Sequence, residues 1–276
     1  MCPNTSEDLL RCRLCGAGEP RRNSHIAPKF VLRWLKRTSI TGRVRSVANP
    51  NLIVQDLPRA RLLCAECENR FSNWEGKFKK NLFDPHHSGI ISKFRYDDWL
   101  LKFAVSLSWR VCEWQRDSMK ALTPHLLPTI YGATTQWLRF LLGEANNPGP
   151  YEHHIFFLDR ATRICAPQVP ALTDWYLARF IDFTAAYTDA GNLYVYSKLA
   201  RIILCAFIRP PFAEGWKGTK IEQTGTISNS NQTLDDSRLL PFIFDRAAIA
   251  TEARNRMSGR QLAAIAHRIQ AAGRQR

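Results

Sequence analysis

Nowhere does the chain offer the run of about eighteen apolar residues that a membrane-spanning helix needs. Its longest such stretch, within Leu199–Ile208, is broken by Arg201 and closed by Pro210 and Pro211. The opening, Met-Cys-Pro-Asn-Thr-Ser-Glu-Asp, is polar and acidic, so no signal peptide and no membrane partner are expected. A cytoplasmic, reducing setting follows, in which cysteines serve as metal ligands or buried thiols rather than disulfides. Acidic residues are scarce: 24 Asp and Glu stand against 39 Lys and Arg, a net charge of +15. Such an imbalance attracts polyanions, nucleic acid before anionic membranes; a merely solvated basic surface is the alternative. Internal repeats and extended low-complexity segments are absent, and the softest stretch, Thr224–Asp236, is expected to be a loop. What remains is ample for folding. A content of 45% hydrophobic and 11% aromatic residues over 276 positions predicts a sizeable core in one large domain or two ordinary ones.

Four of the eight cysteines form two pairs, Cys12-Arg-Leu-Cys15-Gly16 and Cys64-Ala-Glu-Cys67, separated by 48 residues. A two-residue spacer lets both thiolates of a pair converge on one ion, and Gly16 suits the tight turn after the second sulfur. Two such pairs complete a closed, all-cysteine Zn²⁺ site, structural because it has no open position. Cys2, Cys112, Cys165 and Cys205 stand singly, and a core thiol is the ordinary role for such residues. Arg61-Leu62-Leu63 before the second pair looks strand-like. After it, Phe71, Trp74, Phe78 and Leu82 are spaced as one face of a helix. A knuckle followed by a distant knuckle that opens a helix is the layout of a treble-clef zinc finger.

Between the pairs lies Asn23-Ser24-His25-Ile26-Ala27-Pro28, and further on come Asn49, Asn51 and Leu63-Cys64-Ala65-Glu66-Cys67. Over about residues 10–82 this resembles the HNH endonuclease family, a branch of the ββα-metal nucleases. The resemblance implies phosphodiester hydrolysis. His25 would be the general base, Asn51 would orient it, and a catalytic Mg²⁺ or Mn²⁺ would be held by Glu68, alone or with Asn69. Ser24 stands where that family usually has an acid, and Glu68 where it has His or Asn. The structural alternatives are a His25 packed beside the zinc site or serving as another ligand, and a Glu68 that is only a favourable charge in the first turn of a helix.

Residues 1–83 hold sixteen basic and seven acidic side chains. Pro28 suits the start of a helix in which Phe30, Val31, Trp34 and Leu35 form an apolar face. Lys29, Arg33, Lys36 and Arg37 form the opposite face. Beside the histidine they would meet a DNA backbone, joined by Arg43 and Arg45, with Arg59 and Arg61 nearby. The tail from Arg254 to Arg276 has six arginines and no acid. Its Leu262, Ile265, Ala266 and Ile269 predict an amphipathic helix docked by one side, the other free for phosphates or a partner.

The rest of the chain resembles no family. Asp97 or Asp98 would cap a buried helix from Trp99 to about Trp114, and Trp137–Leu142 suggests another ended by Gly143. Tyr151–Leu158 reads as a strand, as do Phe180–Tyr187 and Leu193–Tyr196 around the hairpin turn Asp189-Ala190-Gly191-Asn192. Trp216–Ile227 alternates. His86-His87 and His153-His154 read as surface or hydrogen-bonded histidines, since neighbours on a strand point apart. The expected whole is an α+β protein: an HNH-like zinc domain over 1–84, then a mixed helical and stranded domain over 85–276. That second domain would supply a core, a homodimer surface, a protein partner's site or target recognition. The function expected is DNA hydrolysis; a catalytically silent zinc finger that binds nucleic acid or protein is the other class.

Overall fold

The computed structural model describes residues 11–20, 24–158, 169–188, 191–234 and 239–273. Cys2, Asn23, Cys165, Asp189 and Ala190, singled out above, lie outside them. In chain order come β1 (Ser24–His25), α1 (Lys29–Arg37), β2 (Arg59–Ala60) and α2 (Ala65–Phe78). A π-turn over Lys79–Phe83 joins α2 to α3 (Asp84–Ser88), followed by β3 (Lys93–Tyr96), α4 (Asp98–Leu122) and α5 (Leu127–Leu142). Then come β4 (His153–Phe157), α6 (Thr173–Arg179), β5 (Ile181–Tyr187), β6 (Leu193–Leu199) and β7 (Ile202–Arg209). The chain ends in β8 (Trp216–Lys217), β9 (Gly225–Ser228), β10 (Thr233–Leu234), α7 (Leu239–Asn255) and α8 (Gly259–Gly273). Helix and strand mix as an α+β protein requires.

The larger part is a three-layer arrangement. Strands β4, β7, β6 and β5 form an antiparallel sheet in that order. Alternate residues of β6 and β7 face opposite cores: Val195, Leu204 and Ala206 join α4 and α5, whereas Tyr196, Ile203 and Cys205 join α6 and α7. Burial on both faces explains why these strands read as continuous apolar runs. The β5–β6 hairpin forms around the expected turn, with Gly191 at φ 80°. Gly143, at φ 83°, ends α5.

In the N-terminal part β1 pairs with β2 and α2 follows the second cysteine pair. All four aromatic and aliphatic residues predicted on the α2 face are buried. The rings of Phe78 and Phe103 stack at 4.0 Å, fastening this part to α4. Helical turns run without a break from Ala65 to Ser88, and the hydrophobic core is continuous across residue 84.

Several local expectations change. The strand lies at Arg59–Ala60 rather than Arg61–Leu63, because Leu62 instead accepts a hydrogen bond from the Arg13 amide of the first knuckle (2.8 Å). The expected loop Thr224–Asp236 contains β9, which pairs with β3, and β10, which pairs with β8. Of the two readings of the paired histidines the hydrogen-bonded one holds, as for His87 with the Phe83 carbonyl (2.8 Å), rather than the surface one. His86, His153 and His154 are buried, and His154 bonds Thr219 (2.8 Å) and Glu152 (3.1 Å). Leu262 and Ile269 of α8 stay exposed, so the amphipathic tail does not bury its stripe; it is held by polar contacts instead.

Candidate metal centre and histidine cleft

The four paired cysteines converge. Their sulfurs all lie within 4.8 Å of one another, with Cys15 Sγ and Cys64 Sγ 3.8 Å apart. A tetrahedral ion at about 2.3 Å from each sulfur has edges of about 3.8 Å, so the cluster is positioned to hold a metal ion and is consistent with structural zinc. The chain closes tightly around it. The Gly16 amide bonds the Cys12 carbonyl (2.8 Å), and a Cβ on Gly18, at φ 68°, would come within 3.2 Å of Cys64 Cβ. The Cys67 thiol, hydrogen-bonded to Cys12, holds the Cys12 sulfur down to about 4. The same contact, with burial, pushes Cys67 far up. Sulfurs this crowded cannot all ionise unless a cation sits among them. Arg13, inside the first knuckle, bonds the carbonyl and carboxylate of Glu113 on α4 (3.2 and 3.5 Å).

His25 ends β1 opposite Arg59. Its Nε2 lies 3.0 Å from Oδ1 of Asp56, which also accepts the Leu57 amide (2.9 Å). Arg59 pairs with the other carboxylate oxygen, and Lys29 stands 3.9 Å from it. A carboxylate so flanked is acceptor-only, so Nε2 carries the hydrogen and Nδ1 presents a bare lone pair. Among the described residues Nδ1 has no hydrogen-bond partner. The imidazole is 21% exposed, enough for water to reach it. Burial, then the charges of Arg59 and Lys29, hold its pKa below the usual 6.5, while Glu68 and Glu75 pull it back up. The ring is therefore neutral at pH 7 and able to accept a proton.

Glu68 sits in the first turn of α2, as a favourable helix charge would, yet it also acts electrostatically on His25. Its Oε1 is buried and has no hydrogen-bond partner. Glu75, two turns on, accepts from Arg110 Nη1 (2.7 Å), and the same nitrogen bonds the His25 carbonyl (3.0 Å). Buried Arg110 thus ties α4 both to α2 and to the histidine. Asn69 is exposed, with no side-chain hydrogen bond among the described residues. Ser24 is buried and accepts the Leu63 amide (3.2 Å), stapling β1 to the second knuckle.

The role expected of Asn51 falls elsewhere. Its side-chain oxygen accepts the Ser258 amide (3.0 Å), so it anchors the start of α8, and the partner of the imidazole is Asp56. Sequence reading missed Asp56. The one available signal is its place three residues before Arg59, in a segment that returns antiparallel to His25. The basic residues divide into two groups. Lys29, Arg33 and Arg37 are exposed on α1, and Lys36 reaches the Gln55 carbonyl (2.9 Å), so this face borders Asp56. Arg43 is exposed on the following loop, whereas Arg45 bonds Pro50 and, at 2.8 Å, Gln261 of α8.

No family model matches the chain, and no match was found among curated proteins or solved structures. No helix among the described residues is long and apolar enough to cross a membrane.

Proposed function

We propose that the chain is a metal-dependent, HNH-like endonuclease that hydrolyses DNA phosphodiester bonds, built on a treble clef around a structural Zn²⁺ held by Cys12, Cys15, Cys64 and Cys67. One observation carries the reading: the His25–Asp56 pair leaves Nδ1 free, and Glu68, near enough for its charge to act on that ring, has a buried Oε1 that lacks a partner. His25 takes the proton of a water at Nδ1. Asp56 fixes the ring and its tautomer and stabilises the imidazolium that forms, the part expected of Asn51. A buried carboxylate oxygen without a donor is costly, and a hard cation satisfies it. Mg²⁺ and Mn²⁺ fit, because such ions take one or two carboxylates and fill the remaining positions with water and substrate phosphate. When bound, the ion would stabilise the leaving oxygen. Lys29, Arg33, Lys36 and Arg37 seat the DNA backbone alongside.

A silent zinc-finger protein remains the second reading, favoured by Ser24, which is committed to the Leu63 amide where an acid would hold metal. Plasmid degradation with Mg²⁺ or Mn²⁺ separates the two. His25→Ala should cut turnover by a factor on the order of 10²–10⁴ while zinc content and thermal stability stay unchanged. An active variant would sink the catalytic role; loss of zinc from it would favour the structural one.

A further inference from the structure

Between the N-terminal part and the free edge of the sheet lies a cavity of about 680 Å³. Ligand sites are typically about 300–1,000 Å³, so a molecule of nucleotide size fits. Its walls are of three kinds. At the floor, Arg246 Nε bonds Asp182 (2.7 Å), and the Tyr176 hydroxyl donates to the same carboxylate (2.8 Å). Two indoles line the cavity, one from each layer: Trp114 of α4, edge-on to Phe183 at 5.4 Å, and Trp175 of α6, edge-on to Phe180 at 4.8 Å. They are 37% and 43% exposed, large apolar faces left for a ring to cover. The remaining wall is cationic and includes Arg43, Arg45 and Arg179.

Asp182 is the only carboxylate of that lining among the described residues, and Arg246 already neutralises it. Arg179 bonds neutral oxygens, the Thr38 hydroxyl (2.7 Å) and the Leu35 carbonyl (2.9 Å), and its guanidinium lies over the Trp34 ring (5.2 Å). Arg45 likewise bonds a carbonyl and an amide. Burial, then the charges of Arg43 and Arg268, lower the pKa of the Arg45 guanidinium. Three guanidiniums with no anionic partner among the described residues, in one lining with two part-exposed indoles, suit a planar ring that carries negative charge.

We propose that this cavity binds a nucleoside phosphate, with its base against Trp114 and Trp175 and its phosphate toward Arg43 and Arg45. The ligand is either a free nucleotide or the terminal nucleotide of a strand; both offer the same chemistry. Leu57 and Pro58, which line the cavity, lie between Asp56 and Arg59, so a bound ligand presses on the segment that holds the His25 partner.

The test is titration calorimetry with tryptophan fluorescence on the full chain carrying His25→Ala, without divalent ions. Binding is then scored independently of nuclease activity. The probes are AMP, ATP, a 5′-phosphorylated trinucleotide, adenosine and decanoate. AMP or ATP should bind and quench tryptophan emission, with adenosine at least about tenfold weaker, and a trinucleotide that outbinds both assigns the strand end. Arg43→Glu and Trp175→Ala should each weaken binding about tenfold or more with zinc content unchanged. No heat or quenching at millimolar nucleotide overturns the proposal, as does decanoate binding where nucleotides fail, or equal affinity for AMP and adenosine.

Discussion

A histidine becomes a useful base only when something decides which nitrogen keeps its hydrogen. Here Asp56 decides, so Asp56→Asn should let the ring adopt the other tautomer and lower turnover by about 10²-fold or more at unchanged KM. Because burial, Arg59 and Lys29 hold His25 below 6.5, the acid limb of a pH–rate profile should fall below pH 6.5 and flatten above it. Arg59→Ala should move that limb to higher pH, since it removes a cation that disfavours protonation; a limb that stays put would separate His25 from the rate. Cys64→Ser should strip the metal and unfold the N-terminal part, read as lost zinc by metal analysis. At this scale the sequence was most legible where chemistry dictates local spacing. Two Cys-x-x-Cys pairs announce themselves and converge as expected. Asp56 does not, because its role depends on a return of the chain to β1 that no short pattern encodes, and Asn51 was engaged by a serine more than two hundred residues away.

Helices whose faces follow the 3.6-residue period were equally plain: α1, the buried α2 stripe, and α4, which extends the expected Trp99–Trp114 helix to Leu122. Strand β9 was not, since Gly225–Ser228 gains its partner from Lys93–Tyr96, far back in the chain, and its own residues read as a loop. Helix α1 should work as an electrostatic rail. Replacing Lys29 and Arg33 together by glutamate should weaken DNA binding for all sequences alike. It should also reduce the slope of log affinity against log salt by about 2. A slope unchanged in a filter-binding series would place the DNA elsewhere. Arg110 serves α4 and α2 at once, so Arg110→Ala should cost about 2–3 kcal/mol of stability in urea unfolding by leaving Glu75 without its charged donor.

Taken whole, the molecule has a core that runs on past residue 84: the expected end of the zinc domain falls inside a helical run, and the rings of Phe78 and Phe103 meet across it. That core also encloses histidines. Burial drives His86 down to about 4 and His153 to about 3. Both are neutral in the fold and protonate near 6.5 when unfolded, so their contribution to stability is full above about pH 6.5 and is lost as pH falls toward 4. At pH 5 each should cost the fold on the order of 2 kcal/mol relative to pH 7.5, a drop visible in urea midpoints. His153→Gln should remove about half of that dependence, leaving the share of His86; an unaltered pH profile would contradict the assignment.

The pinning of α8 has a consequence in time rather than in energy. Asn51 holds Ser258, Arg45 holds Gln261, and Arg256 holds the Val47 carbonyl, so the loop that leads to Asp56 is gripped by residues translated long after it. A ribosome can finish the cysteine knuckles and still have some two hundred residues to make before that loop is braced. The surroundings of His25 are thus completed late, and a chain cut short before Ser258 would carry its metal site without a settled Asp56.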